Sequence, residues 1–158
     1  MRAALELFSG SGYEPVSVAL IAERAGVTTG SLYHHFGGKP QLYELVRTDV
    51  ERRVADRVEA VLESGADARA ALGPALLAGF DWLTRVGYAG LVGAPALGLA
   101  TSGGPAEHGG ELDRIVSDAV GRPTALLALA AWRAALTGAA ADPRAAGDLR
   151  AVLATLLS

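Results

Sequence analysis

The 158-residue sequence contains no cysteine and a single lysine, Lys39. Without thiols, the chain cannot form disulfides, thiolate metal sites or a cysteine nucleophile, and a cytoplasmic location is the expected one. No run of 18 apolar residues is free of glycine, proline or charge, so we expect no membrane span. The opening segment, residues 1–8, is short and carries Glu6, which argues against a signal peptide.

An excess of basic charge is also absent, because the formal net charge is −3. About half of the residues are hydrophobic and a fifth are charged, a composition typical of a globular protein. The total charge therefore gives no sign of a polyanionic partner, and any nucleic-acid binding has to be argued from a local segment.

The hydrophobic pattern predicts an all-α fold, because no segment alternates with the period of a strand. Apolar residues recur every three or four positions between breaks that contain glycine or proline. The predicted helices span residues 1–9, 17–24, 28–36, 39–62, 67–86, 111–120, 123–137 and 143–157, and the fifth could be kinked or restarted at Gly73-Pro74. The segment 87–98 is expected to be a broken helix or loop, and 101–110 a surface loop. The charged face of the fourth helix, which includes Arg47 and Glu51, is expected to be solvated.

Residues 17–39, SVALIAERAGVTTGSLYHHFGGK, carry the most specific pattern. They predict two short helices joined at Gly26, a geometry that places the second helix in the major groove of DNA. Packing between the two helices is assigned to Ile21, Ala22, Ala25, Val27, Leu32 and Phe36. The remaining side chains of the second helix can hydrogen-bond to bases and phosphates, and these are Thr29, Ser31, Tyr33, His34 and His35. Gly30 lets the backbone approach the groove, and Lys39 can contact a phosphate.

This region resembles the TetR family of repressors over about the first 50 residues. The resemblance rests on residues 3–8, Gly12-Tyr13, residues 21–27, Gly30-Ser31-Leu32-Tyr33-His34-His35-Phe36, and Lys39. It implies a DNA-binding domain over residues 1–39, continuing to about 50, and a helical effector-binding and dimerisation domain over 40–158. The DNA-facing positions that it implies are Thr28, Thr29, Gly30, Ser31, Tyr33 and His35, with Ser17 and Lys39 on phosphates. Relatives often have a basic residue where this chain has Thr29 and a polar one where it has Ala19.

The larger part has no sharp motif, and its assignments follow the family architecture. The last two helices would pair with a second copy, forming a homodimer through Leu126, Leu129, Trp132, Arg133, Leu136, Leu149, Val152, Leu153 and Leu156. A hydrophobic or aromatic effector would bind among Phe80, Trp82, Leu83, Val86, Tyr88, Leu91, Leu112, Ile115 and Val116. Trp82, Tyr88 or His108 could orient its polar end. Plain core packing within one chain would give the same two patterns.

No cofactor, metal site or enzymatic activity is predicted. Adjacent histidines on a helix point about 100° apart and chelate poorly together. No serine lies in a strand-to-helix turn, and the carboxylates fall at spacings typical of solvated helix faces. The prediction is a ligand-responsive repressor that binds a pseudo-palindromic operator as a dimer. An activator and a helical ligand-binding dimer that no longer binds DNA remain the alternatives.

Overall fold

A computed structural model describes residues 1–65, 67–94 and 110–158, and its secondary structure is helical throughout these ranges. The first four helices are α1 (Arg2–Ser11), α2 (Val18–Ala25), α3 (Thr29–Phe36) and α4 (Lys39–Ser64). They are followed by α5 (Ala68–Val86), α6 (Ala89–Gly93), α7 (Glu111–Val120), α8 (Arg122–Ala141) and α9 (Ala146–Leu156). A short 3-10 turn, Pro143–Ala145, precedes α9. The predicted all-α class is confirmed.

A continuous hydrophobic core joins the small N-terminal bundle to the larger one. The 26-residue helix α4 runs through both bundles and buries Leu42 and Val46 near its start and Val54 and Val58 further along. The helix α8 packs against α5, α6, α7 and α9. The small bundle is therefore held on the larger one mainly by a single uninterrupted helix.

Two helices are more continuous than the sequence pattern suggests, and tertiary packing explains both. Helix α5 continues through Pro74, whose ring faces solvent, while Gly73 packs closely on the carbonyl oxygen of Leu157. Helix α8 continues four residues past Thr137, because Gly138 lies against the side chain of Leu149 and Ala139 is buried. The predicted loop 101–110 and His108 lie outside the described residues, apart from Gly110.

By length and composition, α8 is apolar enough to cross a membrane. Seven of its residues, including Leu129, Trp132 and Leu136, are buried inside the protein. A core helix of a globular protein can pass the same test, so a single helix of this kind is weak evidence for a membrane span.

Candidate nucleic-acid interface

The turn between α2 and α3 is built by local side-chain caps. Ser17 accepts a hydrogen bond from the backbone N–H of Leu20 (3.1 Å) and begins α2, and Thr28 accepts one from the backbone N–H of Ser31 (3.1 Å) and begins α3. Between them, Gly26 has φ 68° and ψ 32°, the left-handed conformation that glycine adopts without strain. These residues fix where both helices start and how the chain reverses between them.

The two helices pack through fewer residues than the sequence suggests. Ile21, Ala22 and Leu32 are buried and hold the pair together. Ala25 and Val27 are exposed, Val27 to 45%, which corrects their assignment to the packing between the helices. Ala25 is the last residue of α2, and Val27 follows the left-handed Gly26, so both lie in the turn rather than between the helices.

The solvent side of α3 carries the predicted DNA-contacting residues. We define the recognition face as the exposed residues Thr28, Thr29, Gly30, Ser31, Tyr33, His34 and His35. Tyr33 has 57% of its surface exposed. Ser17, at the start of α2, is also exposed. The helix therefore presents hydroxyl and imidazole groups to solvent, together with the free N–H groups of its first turn.

Gly30 has no structural reason to be glycine within this chain. It lies inside α3, and a Cβ atom built on it would meet only the Thr28 hydroxyl oxygen, at 3.8 Å. Glycine inside a helix costs about 0.5–1 kcal/mol relative to alanine. The backbone at Gly30 is therefore left bare at a position where the fold has room for a side chain.

Lys39 is held by the loop that precedes α2. Its ammonium lies 4.1 Å from the centroid of the Tyr13 ring and donates a hydrogen bond to the carbonyl oxygen of Glu14 (3.2 Å). The side chain remains partly exposed beside the start of α4. Lys39 is thus positioned at the edge of the bundle and still reachable by an anion.

Electrostatically, the first 39 residues, which we call the headpiece, are close to neutral. They contain three permanently basic side chains (Arg2, Arg24, Lys39) and three acidic ones (Glu6, Glu14, Glu23). Both arginines face the carboxylate of Glu6, with Arg24 at 3.3 Å and Arg2 at 3.8 Å. The headpiece therefore has little uncommitted positive charge.

An aromatic cluster fastens the headpiece to α4. The ring centroid of Tyr43 lies 5.1 Å from that of Phe8 and 5.0 Å from that of Tyr13, both edge to face. Burial raises the pKa of the Tyr43 hydroxyl above the ordinary 10.0, and the charge of Arg47 only partly offsets this. The start of α4 is consequently packed against α1 and the loop that follows it.

Two ion pairs in the larger part are not evident from the sequence. Arg47 is only 5% exposed, and its Nη2 atom lies 3.0 Å from Glu51 Oε1, so the predicted solvated face of α4 is wrong at this turn. Arg133 of α8 donates two hydrogen bonds to the carboxylate of Asp113 on α7. Burial lowers the pKa of the Arg133 guanidinium, but hydrogen bonding to Asp113 and the nearby carboxylates outweigh this, so its pKa is raised.

The predicted effector-lining residues lie mostly in the core. Phe80, Leu83, Leu91, Leu112, Ile115 and Val116 are buried, whereas Val86 is exposed. Trp82 and Tyr88 are half-buried and contact each other edge to face, and Arg57 lies over the Trp82 ring. Four cavities of about 240–540 Å³ formed by the described residues are lined by other side chains. The effector pocket therefore stays a prediction.

The residues predicted for the dimer interface divide into three groups. Leu126, Val152 and Leu156 are strongly exposed on α8 and α9, and so is Leu127 beside them. Arg133 and Leu149 are half-buried. Leu129, Trp132, Leu136 and Leu153 are buried within the single chain, and the Trp132 indole donates a hydrogen bond to the carbonyl oxygen of Leu76 (2.7 Å). These four belong to the core of the protomer, because they retain no surface for a partner.

The structure combines a capped pair of short helices, whose second helix is exposed and polar, with a larger helical bundle. This arrangement is typical of the helix-turn-helix class of DNA-binding proteins. Residues 1–46 match the sequence profile of the bacterial regulatory proteins of the tetR family. The repressor KstR2 of Mycolicibacterium smegmatis is 31% identical over 81 residues, which cover 51% of this chain and 40% of that protein. The matched region thus spans about two fifths of the length of this curated relative.

Solved structures extend the likeness to the whole described fold. A TetR-family transcriptional regulator from Streptomyces coelicolor is 26% identical and has a TM-score of 0.64, with 99% of this chain and 94% of that chain covered. The regulator FadR from Bacillus subtilis in complex with stearoyl-CoA has a TM-score of 0.65 at 18% identity, covering 99% of this chain and 94% of that one. The N-terminal part of the chain therefore matches the tetR family, and the whole described fold is similar to that of solved TetR-family regulators.

Proposed function

We propose that this chain is a ligand-responsive transcriptional repressor that binds a pseudo-palindromic operator as a homodimer in the cytoplasm. Residues 1–39 would read DNA, and residues 40–158 would dimerise and bind the effector. The observation that carries the proposal is the recognition face, an exposed polar surface on the second helix of a capped helix-turn-helix. KstR2, a relative over about half of this chain, is itself a repressor.

In the proposed complex, α3 lies in the major groove with the recognition face toward the DNA. Tyr33 and His35 would contact bases or phosphates, and the bare backbone at Gly30 would allow close approach. Ser17 and Lys39 would contact phosphates at the two edges of the helix pair. Thr28 would hold the first turn through its bond to Ser31, while the N–H groups there attract a phosphate.

Dimerisation would bury the apolar surface that α8 and α9 leave exposed. Leu126 is 69% exposed and Leu156 66% exposed, and Leu127 and Val152 lie on the same two helices. A homodimer would place two recognition helices about 34 Å apart, which is one turn of DNA.

The effector would be a hydrophobic or aromatic small molecule that binds among the apolar side chains of α5, α6 and α7. FadR, which shares the fold, binds stearoyl-CoA, so an acyl compound is a reasonable first probe. Because α4 packs against α5 and α7 and also carries the headpiece, opening a site between these helices would displace α4. Release of DNA would follow from a changed separation of the two recognition helices.

A mobility-shift assay with the DNA upstream of the chain's own gene tests the proposal. The parent should give a saturable, salt-sensitive shift. Tyr33→Ala should weaken it by about 1–3 kcal/mol and leave the melting temperature unchanged within a few degrees. Arg85→Ala, which truncates an exposed side chain of α5 far from the recognition face, serves as the control. If the parent and Tyr33→Ala bound this DNA with equal affinity, the proposed role of the recognition face would be disproved.

The second candidate is a helical ligand-binding dimer that no longer binds DNA specifically. The neutral headpiece, with both of its arginines facing Glu6, favours it. A protein that gives no shift even at low salt, yet is stabilised by a hydrophobic ligand, would establish this alternative.

A further inference from the structure

The recognition face contains two histidines and no permanently charged side chain. Helix α3 has the sequence TGSLYHHF, and both His34 and His35 are exposed. Their ring centroids lie 5.3 Å apart at an interplanar angle of 66°, so the two rings occupy one patch of the surface. The charge that α3 brings to a phosphate backbone is therefore the charge of these two imidazoles.

The permanent cations of the headpiece are already in contact with groups of the chain. Arg2 and Arg24 face Glu6, and Lys39 contacts the Glu14 carbonyl oxygen and the Tyr13 ring. Contacts with phosphates would require these side chains to give up or share those partners. A proton taken up by an imidazole on α3 adds a charge without displacing a carboxylate or a carbonyl partner.

Two helices pack against α3 and carry the charged groups nearest to the two histidines. Helix α2 contributes Glu23 and Arg24 as its charged groups, and the first turns of α4 contribute Lys39 and Glu44. Within the described part of the chain, neither imidazole has a hydrogen-bond or ion-pair partner, and their ring contacts are with each other and with Phe36. A neighbouring phosphate would thus be the first anionic partner of either ring.

We infer that operator binding is coupled to proton uptake by His34 and His35, so that the protein binds DNA as its imidazolium form and more tightly as the pH falls. The inference rests on the proposed function, because it requires α3 to lie on DNA. Imidazole is the side chain whose charge ordinarily changes between pH 5 and 8, and a nearby anion favours its charged form. The protons come from the solvent. Each proton taken up on binding raises the association constant by at most tenfold for each unit by which the pH falls.

The test is a titration of fluorescent operator DNA at about pH 6 and pH 8 over a series of salt concentrations. We expect the association constant of the parent to be about tenfold or more higher at the lower pH. The dependence on salt should be steeper there, by about 0.9 in the log–log slope for each imidazolium that neutralises a phosphate. The double variant His34→Gln/His35→Gln should lose both differences.

Three controls make the result decisive. His108→Gln removes the third histidine of the chain and should keep the full pH dependence. The double variant His34→Arg/His35→Arg carries a permanent charge at both positions and should bind DNA equally well at both pH values. This variant tests the inference if the double glutamine variant no longer binds DNA at all. Melting curves at both pH values check that folding is unchanged. A parent that binds the operator equally well at both pH values would overturn the inference but leave the repressor intact, whereas a parent that binds no DNA would overturn both.

Discussion

Lys39 and Tyr13 bring the start of α4 and the loop before α2 together, with the ammonium 4.1 Å from the centroid of the ring. The same ammonium holds the Glu14 carbonyl oxygen at 3.2 Å. This arrangement restricts the flexible lysine side chain before any DNA is bound. A restricted side chain loses less conformational entropy when it contacts a phosphate.

We therefore predict that Lys39→Met weakens operator binding and makes it less dependent on salt. The log–log slope should fall by about 0.9 for each phosphate that the variant no longer neutralises, or roughly 2 for the dimer. Arg85→Met removes one charge from the exposed end of α5 and provides the control. The measurement is the association constant for DNA over a series of salt concentrations. An unchanged log–log slope in Lys39→Met would exclude an ionic contact between Lys39 and a phosphate.

Gly30→Ala should change stability and DNA binding in opposite directions. The fold has room for a Cβ atom at this position, so alanine should raise the free energy of unfolding by about 0.5–1 kcal/mol. The same methyl group should obstruct the groove and weaken operator binding by about 1–3 kcal/mol. Chemical denaturation gives the free energy of unfolding, and titration with DNA of the same preparation gives the affinity.

Gly10→Ala is the matched control for this experiment. Gly10 also lies within a headpiece helix, and a Cβ atom there meets nothing within 4 Å. This variant should gain stability while its affinity for DNA stays unchanged. Parallel losses of DNA binding in both variants would show that Gly30 has no special role.

Leu156→Glu should separate the proposed dimer without unfolding the protomer. The side chain is 66% exposed in the single chain, so a carboxylate there meets water in the monomer but would be buried in the dimer. Sedimentation velocity at micromolar concentration should show a monomer with an unchanged helical CD spectrum. Val86→Glu places the same charge on an exposed apolar position of α5 and should remain dimeric.

The buried hydroxyl of Tyr43 predicts a loss of stability at high pH. Because burial raises the pKa of Tyr43 in the folded state, the folded protein keeps this proton to a higher pH than the unfolded chain does. Its contribution is complete below the unfolded value of 10.0 and is lost as the pH rises through the higher folded value. The free energy of unfolding should therefore fall less steeply above pH 10 in Tyr43→Phe than in the parent. Tyr33→Phe, at an exposed position, should follow the parent curve.

The sequence was sufficient to predict the helix-turn-helix because its signals are local. The Ser17 and Thr28 caps and the left-handed Gly26 each act on residues within one turn of the chain, so their positions can be found without knowing the fold. The exposure of Tyr33 and its neighbours could be predicted as well, because the apolar residues of α3 show which side of the helix is buried.

Burial in the larger part could not be predicted in the same way. Trp132 and Leu126 both lie on the apolar helix α8. Only the tertiary fold shows that the Trp132 indole donates a hydrogen bond to the carbonyl oxygen of Leu76, while Leu126 faces solvent. Arg47 is similar, because a charged residue among other charges gives no sign that neighbouring helices cover it. Such distinctions depend on contacts between segments far apart in sequence.

The 26 residues of α4 make a rod of about 39 Å at 1.5 Å per residue. Its first turns are packed into the headpiece through Tyr43, and its later turns lie in the core of the larger bundle beside Val54 and Val58. A rod of this length that pivots by about 5° moves its far end by roughly 3 Å, close to the rise of one base pair. In the proposed mechanism α4 would therefore act as a lever, by which a rearrangement of a few side chains near one end puts the whole recognition face out of register with the DNA.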